Sequence, residues 1–97
     1  MADTFQLRIA TPERLLLDAQ VTEAECPAAN GNMGILPGHA PLLSILGSGL
    51  LTYSLPGQTG QASVQLESGF VEVLNDQVRI LVGKAEIAEP VTGPSQS

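Results

Sequence analysis

In Gly69-Phe70-Val71-Glu72-Val73-Leu74-Asn75-Asp76-Gln77-Val78-Arg79-Ile80-Leu81-Val82, Val71 and Val73 flank an outward Glu72, and Val78, Ile80 and Val82 resume the alternation. A period of two places one set of side chains on a buried face and the other in solvent, the mark of a half-buried strand. Asn75-Asp76 between the two runs is turn chemistry, so the stretch predicts a β-hairpin. Upstream, Ala62, Val64 and Leu66 are opposed by Ser63, Gln65 and Glu67. Before them Leu51, Tyr53 and Leu55 run against Thr52 and Ser54, and Pro56-Gly57-Gln58-Thr59-Gly60 is a turn.

The same pattern opens the chain. Phe5, Leu7 and Ile9 alternate with Gln6 and Arg8 until Thr11-Pro12-Glu13-Arg14 breaks the run. Pro12 lacks an amide donor and presets a turn. Leu15-Leu16-Leu17 reads as a short apolar strand and Asp18-Ala19-Gln20 as a connection. In Val21 to Cys26, Ala24 and Cys26 share one face while Glu23 and Glu25 share the other. Strands recurring about every ten residues, with almost no helical pattern, predict an all-β fold, a flattened sandwich or barrel of about ten short strands.

The middle departs from alternation. Residues 30–41 hold three Gly and two Pro, which opposes a helix or a central strand. Met33, Ile35 and Leu36 nevertheless want burial, so the segment reads as irregular but packed.

Composition narrows the function. The 97 residues suit one domain, residues 1–88, with a frayed tail over 89–97 where Pro90, Gly93 and Pro94 fall. Hydrophobic residues are 43% and charged residues 14%, so some apolar surface is either covered by a partner or simply typical of a small two-layer β domain. Composition alone favours the second. Ten acids against four bases give a net charge of −6, and Arg8, Arg14, Arg79 and Lys84 are scattered along the chain. Without a basic stripe or stacking aromatics, nucleic-acid binding is not expected. One cysteine fits a reducing compartment, and no apolar run approaches the length of a membrane span.

Catalytic constellations are missing from the pattern. His39 is the only histidine, so no clustered metal ligands accompany it. Cys26, beside Glu23 and Glu25, reads as a small core filler rather than a nucleophile, because adjacent carboxylates disfavour a thiolate. Neither a catalytic residue, a metal nor a cofactor is expected.

One segment carries more information. Gly31-Asn-Met-Gly-Ile-Leu-Pro-Gly-His-Ala-Pro-Leu-Leu-Ser-Ile-Leu46 closely resembles the signature of the ε subunit of bacterial and chloroplast ATP synthases, called δ in mitochondria. Phe5–Ile9 with Thr11-Pro12-Glu13, Gly49-Leu50, and Gly69–Val73 with Val78–Leu81 agree in register, and the resemblance spans residues 4 to about 88. One departure is Glu67-Ser68-Gly69, where the family often has two adjacent glycines.

The resemblance implies a central-stalk rotor subunit of a proton-translocating ATP synthase, coupling the γ subunit to the membrane c-ring without catalysis of its own. It places c-ring contact at Asn30, Gly31 and Asn32, and γ contact at Gly38, His39, Ala40, Pro41 and Leu42. For His39, a partner contact and an internal hydrogen bond are both open, and Ile35, Leu36 and Leu42 also read as plain core. Membrane association would run only through other subunits, at the cytoplasmic face of a bacterial inner membrane or the stromal face of a thylakoid. A C-terminal helical hairpin, common in the family, needs some 25 to 40 residues. About ten follow Ile87, so no hairpin, and no hairpin-mediated inhibition or ATP sensing, is expected. The alternatives are a free-standing β-sandwich binding module and an N-terminal fragment of a full-length ε subunit.

Overall fold

The computed structural model describes residues 3–88, so the predicted tail over 89–97 lies outside the described residues. Ten strands follow in chain order: β1 (Phe5–Ala10), β2 (Leu15–Val21), β3 (Glu23–Ala28), β4 (Gly31–Ile35), β5 (Leu42–Leu46), β6 (Gly49–Ser54), β7 (Ala62–Leu66), β8 (Gly69–Leu74), β9 (Gln77–Val82) and β10 (Ala85–Ala88). No helix occurs among the described residues. The all-β expectation holds.

The strands form one hydrogen-bonded path, β10-β7-β6-β3-β5-β8-β9-β1-β2, with β4 added to β3. The path turns over at β3, which gives Glu23 to Glu25 to β6 but only Ala28 to β5. A strand that shares itself between two sheets makes the corner of a sandwich. One half is then β10-β7-β6-β3-β4 and the other β5-β8-β9-β1-β2. All pairs are antiparallel except β1 with β9, which run parallel from Gln6↔Gln77 to Ala10↔Leu81.

Between the halves lies one apolar core. Phe5, Leu7 and Ile9 of β1, Val71 and Val73 of β8, and Val78 and Ile80 of β9 are buried from one side. Ala24, Cys26, Leu51, Val64 and Leu66 meet them from the other. These are the inward positions of the alternation, and no polar or charged residue is buried among the described residues. Asn75 and Asp76 both adopt positive φ (52° and 59°), closing the β8–β9 hairpin with the backbone that Asn and Asp tolerate.

Three local expectations change. Asp18-Ala19-Gln20 is no connection, because β2 continues through it, pairing Arg8↔Asp18 and Leu7↔Ala19. A register shift at Ile9/Ala10 inserts one extra residue, which lets both Leu16 and Leu17 pack against the core. Residues 31–35 are not irregular but form β4, an outer strand bonded only to β3; glycines are tolerated there because one edge carries no ladder. Leu36, expected inside, is 59% exposed. The Ser68 departure is absorbed in solvent, since Ser68 is exposed and it is Gly69 that enters the close contact with β9.

Cys26 sits in β3 opposite Met33, fully covered. Burial first, and the neighbouring Glu25 carboxylate second, push its thiol up to about 12 from an ordinary 9.0. The folded chain therefore keeps a proton that the unfolded chain surrenders above pH 9, so this group's stabilisation is complete below about pH 9 and fades as pH climbs toward 12. At pH 8 a thiol-specific reagent is expected to label the native chain barely at all and the denatured chain fully, a contrast readable by mass.

Candidate docking surface

Of the residues singled out by resemblance, Asn30, Gly31 and Asn32 form the tip of the β3–β4 hairpin. Ala28 pairs with Gly31 across the two-residue turn Ala29-Asn30, and all three candidates are exposed. The second set, Gly38 to Leu42, lies in the link from β4 into β5. It is fastened to the sheet by Asp76, whose Oδ1 accepts from the Gly38 amide at 2.7 Å and whose carbonyl accepts from the Gln6 amide at 2.9 Å. Gly38 has φ +84°, a conformation other residues rarely adopt, so the turn closed by the His39 amide on the Leu36 carbonyl depends on it.

His39 is half-buried, with Nδ1 2.6 Å from the Ala40 carbonyl. A carbonyl only accepts, so that contact requires the proton on Nδ1. Ala40 and Pro41 are exposed, whereas Leu42 packs on the core, as Ile35 does more fully. The two candidate sets stand at opposite ends of β5. β5 runs from Leu42, paired with Val73 near the Asn75-Asp76 turn, to Leu46, paired with Gly69 and Ala28 beside the hairpin tip.

Removing the Asp76 carboxylate should loosen this link without unfolding the sheet. Asp76→Gly, which accepts the positive φ, is expected to cost about 1 kcal/mol and to speed hydrogen exchange at the Gly38 amide. Asp76→Asn keeps an acceptor oxygen and should preserve protection. Equal exchange in both variants would show that the carboxylate does not hold the link.

Among the described residues nine large apolar side chains are exposed, and four of them, Leu15, Ile45, Phe70 and Leu81, fall in one row. The register sets Ile45 beside Phe70, Phe70 beside Leu81, Leu81 beside Ala10, and Ala10 beside Leu15, across all five strands of one half-sandwich. Composition alone left this row invisible. The next row inward along the strands is charged: Glu72 beside Arg79, Arg79 beside Arg8, Arg8 beside Asp18. Among the described residues no three His, Cys, Asp or Glu gather to hold a metal. Cys26 faces the core from β3, while His39 bonds its own neighbour in the link after β4.

The fold is a β-sandwich carrying an exposed apolar row and a fastened Gly/Pro link. Comparison with known proteins gives its family. Residues 4–88 match the family described as ATP synthase, Delta/Epsilon chain, beta-sandwich domain, and the chain belongs to that family. It is 54% identical over 91 residues to an ATP synthase epsilon chain of Solibacter usitatus, covering 94% of this chain and 66% of that one. With the corresponding protein of Koribacter versatilis it shares 44% over 91 residues, covering 94% and 63%. The chain thus spans slightly less than two thirds of the length of these relatives.

Two solved chains share the fold. One comes from the Euglena gracilis mitochondrial ATP synthase, with TM-score 0.82 and 21% identity, covering 90% of this chain and 55% of that one. The other belongs to the central stalk and c-ring of the Tetrahymena thermophila enzyme, with TM-score 0.73 and 14% identity, covering 95% and 72%.

Proposed function

We propose that this chain is a rotor subunit of a proton-translocating ATP synthase, joining the γ subunit to the c-ring and performing no bond chemistry itself. The observation that carries the reading is the separation of its two candidate contacts, the tip Asn30–Asn32 and the link Gly38–Leu42, at opposite ends of β5. A coupling piece needs two separated contacts joined by a body that does not yield. Close-packed interiors transmit strain in this way. Proline in the link lowers the order still to be lost on docking.

The family's relatives carry the name ATP synthase epsilon chain, which supports the assignment to the rotor. The expected setting is peripheral, on the cytoplasmic face of a bacterial inner membrane or the stromal face of a thylakoid, held by other subunits. No inhibitory or ATP-sensing role is assigned to the sandwich.

Co-purification of the chain with γ and the c-ring tests the reading. His39→Ala combined with Asn32→Arg is expected to weaken that assembly while the free subunit melts as the wild type does. A parallel fall in melting temperature would mark both as fold residues. Coupled proton pumping by complexes lacking the chain would end the rotor assignment.

A further inference from the structure

We propose that Asn30-Gly31, at the tip of the β3–β4 hairpin, is a self-modification site, where loss of the Asn30 side-chain amide leaves aspartate or isoaspartate on an uncharged tip. The inference concerns the free chain and does not rest on the rotor reading.

The residue pair supplies both reacting groups. The backbone nitrogen that follows an asparagine can reach that asparagine's Cγ, and glycine obstructs the approach least because it has no Cβ. Nothing lies within 4 Å of where a Cβ on Gly31 would stand, so the surroundings are open. Asn30 is exposed, and its side chain makes no hydrogen bond among the described residues. Ring closure also needs the Gly31 amide to turn out of the closing pair Ala28↔Gly31. That pair is the last of its ladder, on an outer strand bonded only to β3, where local opening costs least.

The chain carries its own controls. Of its three asparagines, only Asn30 precedes a glycine. Asn32 is also exposed, but it lies within β4 opposite Pro27, and Met33 after it packs against the core. Asn75 is exposed in the β8–β9 turn. Asp76 after it is pinned, its carbonyl accepting from the Gln6 amide at 2.9 Å and its Oδ1 from the Gly38 amide at 2.7 Å. In both cases the nitrogen that would attack belongs to a residue with a side chain and a fixed place.

The step balances with water as the sole co-reactant. The Gly31 nitrogen gives its proton to solvent base and attacks Asn30 Cγ; the Cγ–Nδ2 bond breaks, ammonia leaves, and a succinimide ring closes. Water then cleaves one of the two ring C–N bonds. Cleavage at Cγ gives aspartate. Cleavage at the main-chain carbonyl carbon gives isoaspartate, whose backbone runs through the side chain and adds a methylene to a two-residue turn. Either product puts a carboxylate into a neutral stretch, since no Asp, Glu, Lys or Arg occurs from Pro27 to Leu66. A new charge on such a segment changes what it can dock against.

The test incubates the whole wild-type chain, without partners, in mildly alkaline buffer and follows it by ion exchange and tandem mass spectrometry. A more acidic species should accumulate with the mass gain of amide-to-acid conversion at Asn30, severalfold faster than at Asn32 or Asn75. Purified protein-isoaspartate methyltransferase with labelled S-adenosylmethionine should load methyl groups onto the aged chain and not onto the fresh one. Asn30→Gln should abolish both signals. Its circular dichroism and melting should match the wild type, because the replaced side chain is exposed and unbonded. Equal rates at the three asparagines, or an acidic species forming in Asn30→Gln at the wild-type rate, overturns the site. Reaction in the urea-unfolded chain with none in the folded chain overturns it too, since the hairpin end would then not open in the native fold. No arm uses γ or the c-ring, so every outcome leaves the rotor reading untouched.

Discussion

Gly69→Ala is expected to destabilise the domain by about 3 kcal/mol, a large fraction of the roughly 5–15 kcal/mol that small domains possess. A methyl group at Gly69 would run into the carbonyl oxygen of Leu81, with Val82 Cα and Cγ1 each 2.8 Å away. Two of those three atoms belong to the backbone, so no rotamer change relieves the overlap. Gly69 pairs with Leu46 on one side and Val82 on the other, which means that a displaced residue disturbs β5 and β9 together. Gly83 is the internal control, since nothing lies within 4 Å of a methyl group there. Gly83→Ala should shift the urea midpoint by less than about 0.5 kcal/mol equivalent, with an unchanged slope in both variants. Matching midpoints for the two would refute the close approach.

The consequence reaches the outer face. Phe70 and Leu81 follow and precede the crowded pair, so a β8–β9 seam forced apart at Gly69 also misaligns the apolar row.

Strand order could not be read from the pattern, although most strands could. The alternation in Phe5–Ile9, Ala62–Leu66 and Gly69–Val82 named the buried side chains directly, because a half-buried strand writes its two faces in sequence. Asp18-Ala19-Gln20 misled, since its polar residues point outward from a strand whose inward Ala19 is too small to signal burial. Leu36 misled in the opposite sense: an apolar residue in a link carries no periodicity to say which way it faces.

The exposed apolar row was harder still. Ile45, Phe70, Leu81, Ala10 and Leu15 are far apart in the chain, and only the parallel β1–β9 pairing brings Ala10 beside Leu81. The same pairing collects the bases that look dispersed along the sequence. The signature segment pointed to the family through its unusual Gly/Pro spacing, whereas the Asp76 fastening of Gly38 joins residues 38 positions apart and was not visible in either stretch.

Ile80→Ala should have the second large effect, and its neighbour Leu81 nearly none. Ile80 is fully buried in β9 between Val71 and Ile9, at the centre of the half-sandwich. Truncation removes apolar contact and leaves a cavity that three paired strands cannot collapse to fill, for a loss of about 3–4 kcal/mol. Leu81, one residue on, points outward and is 56% exposed, so Leu81→Ala should change stability by less than about 0.5 kcal/mol. If Leu81→Ala instead cost as much as Ile80→Ala, the outer row would be part of the domain's own core.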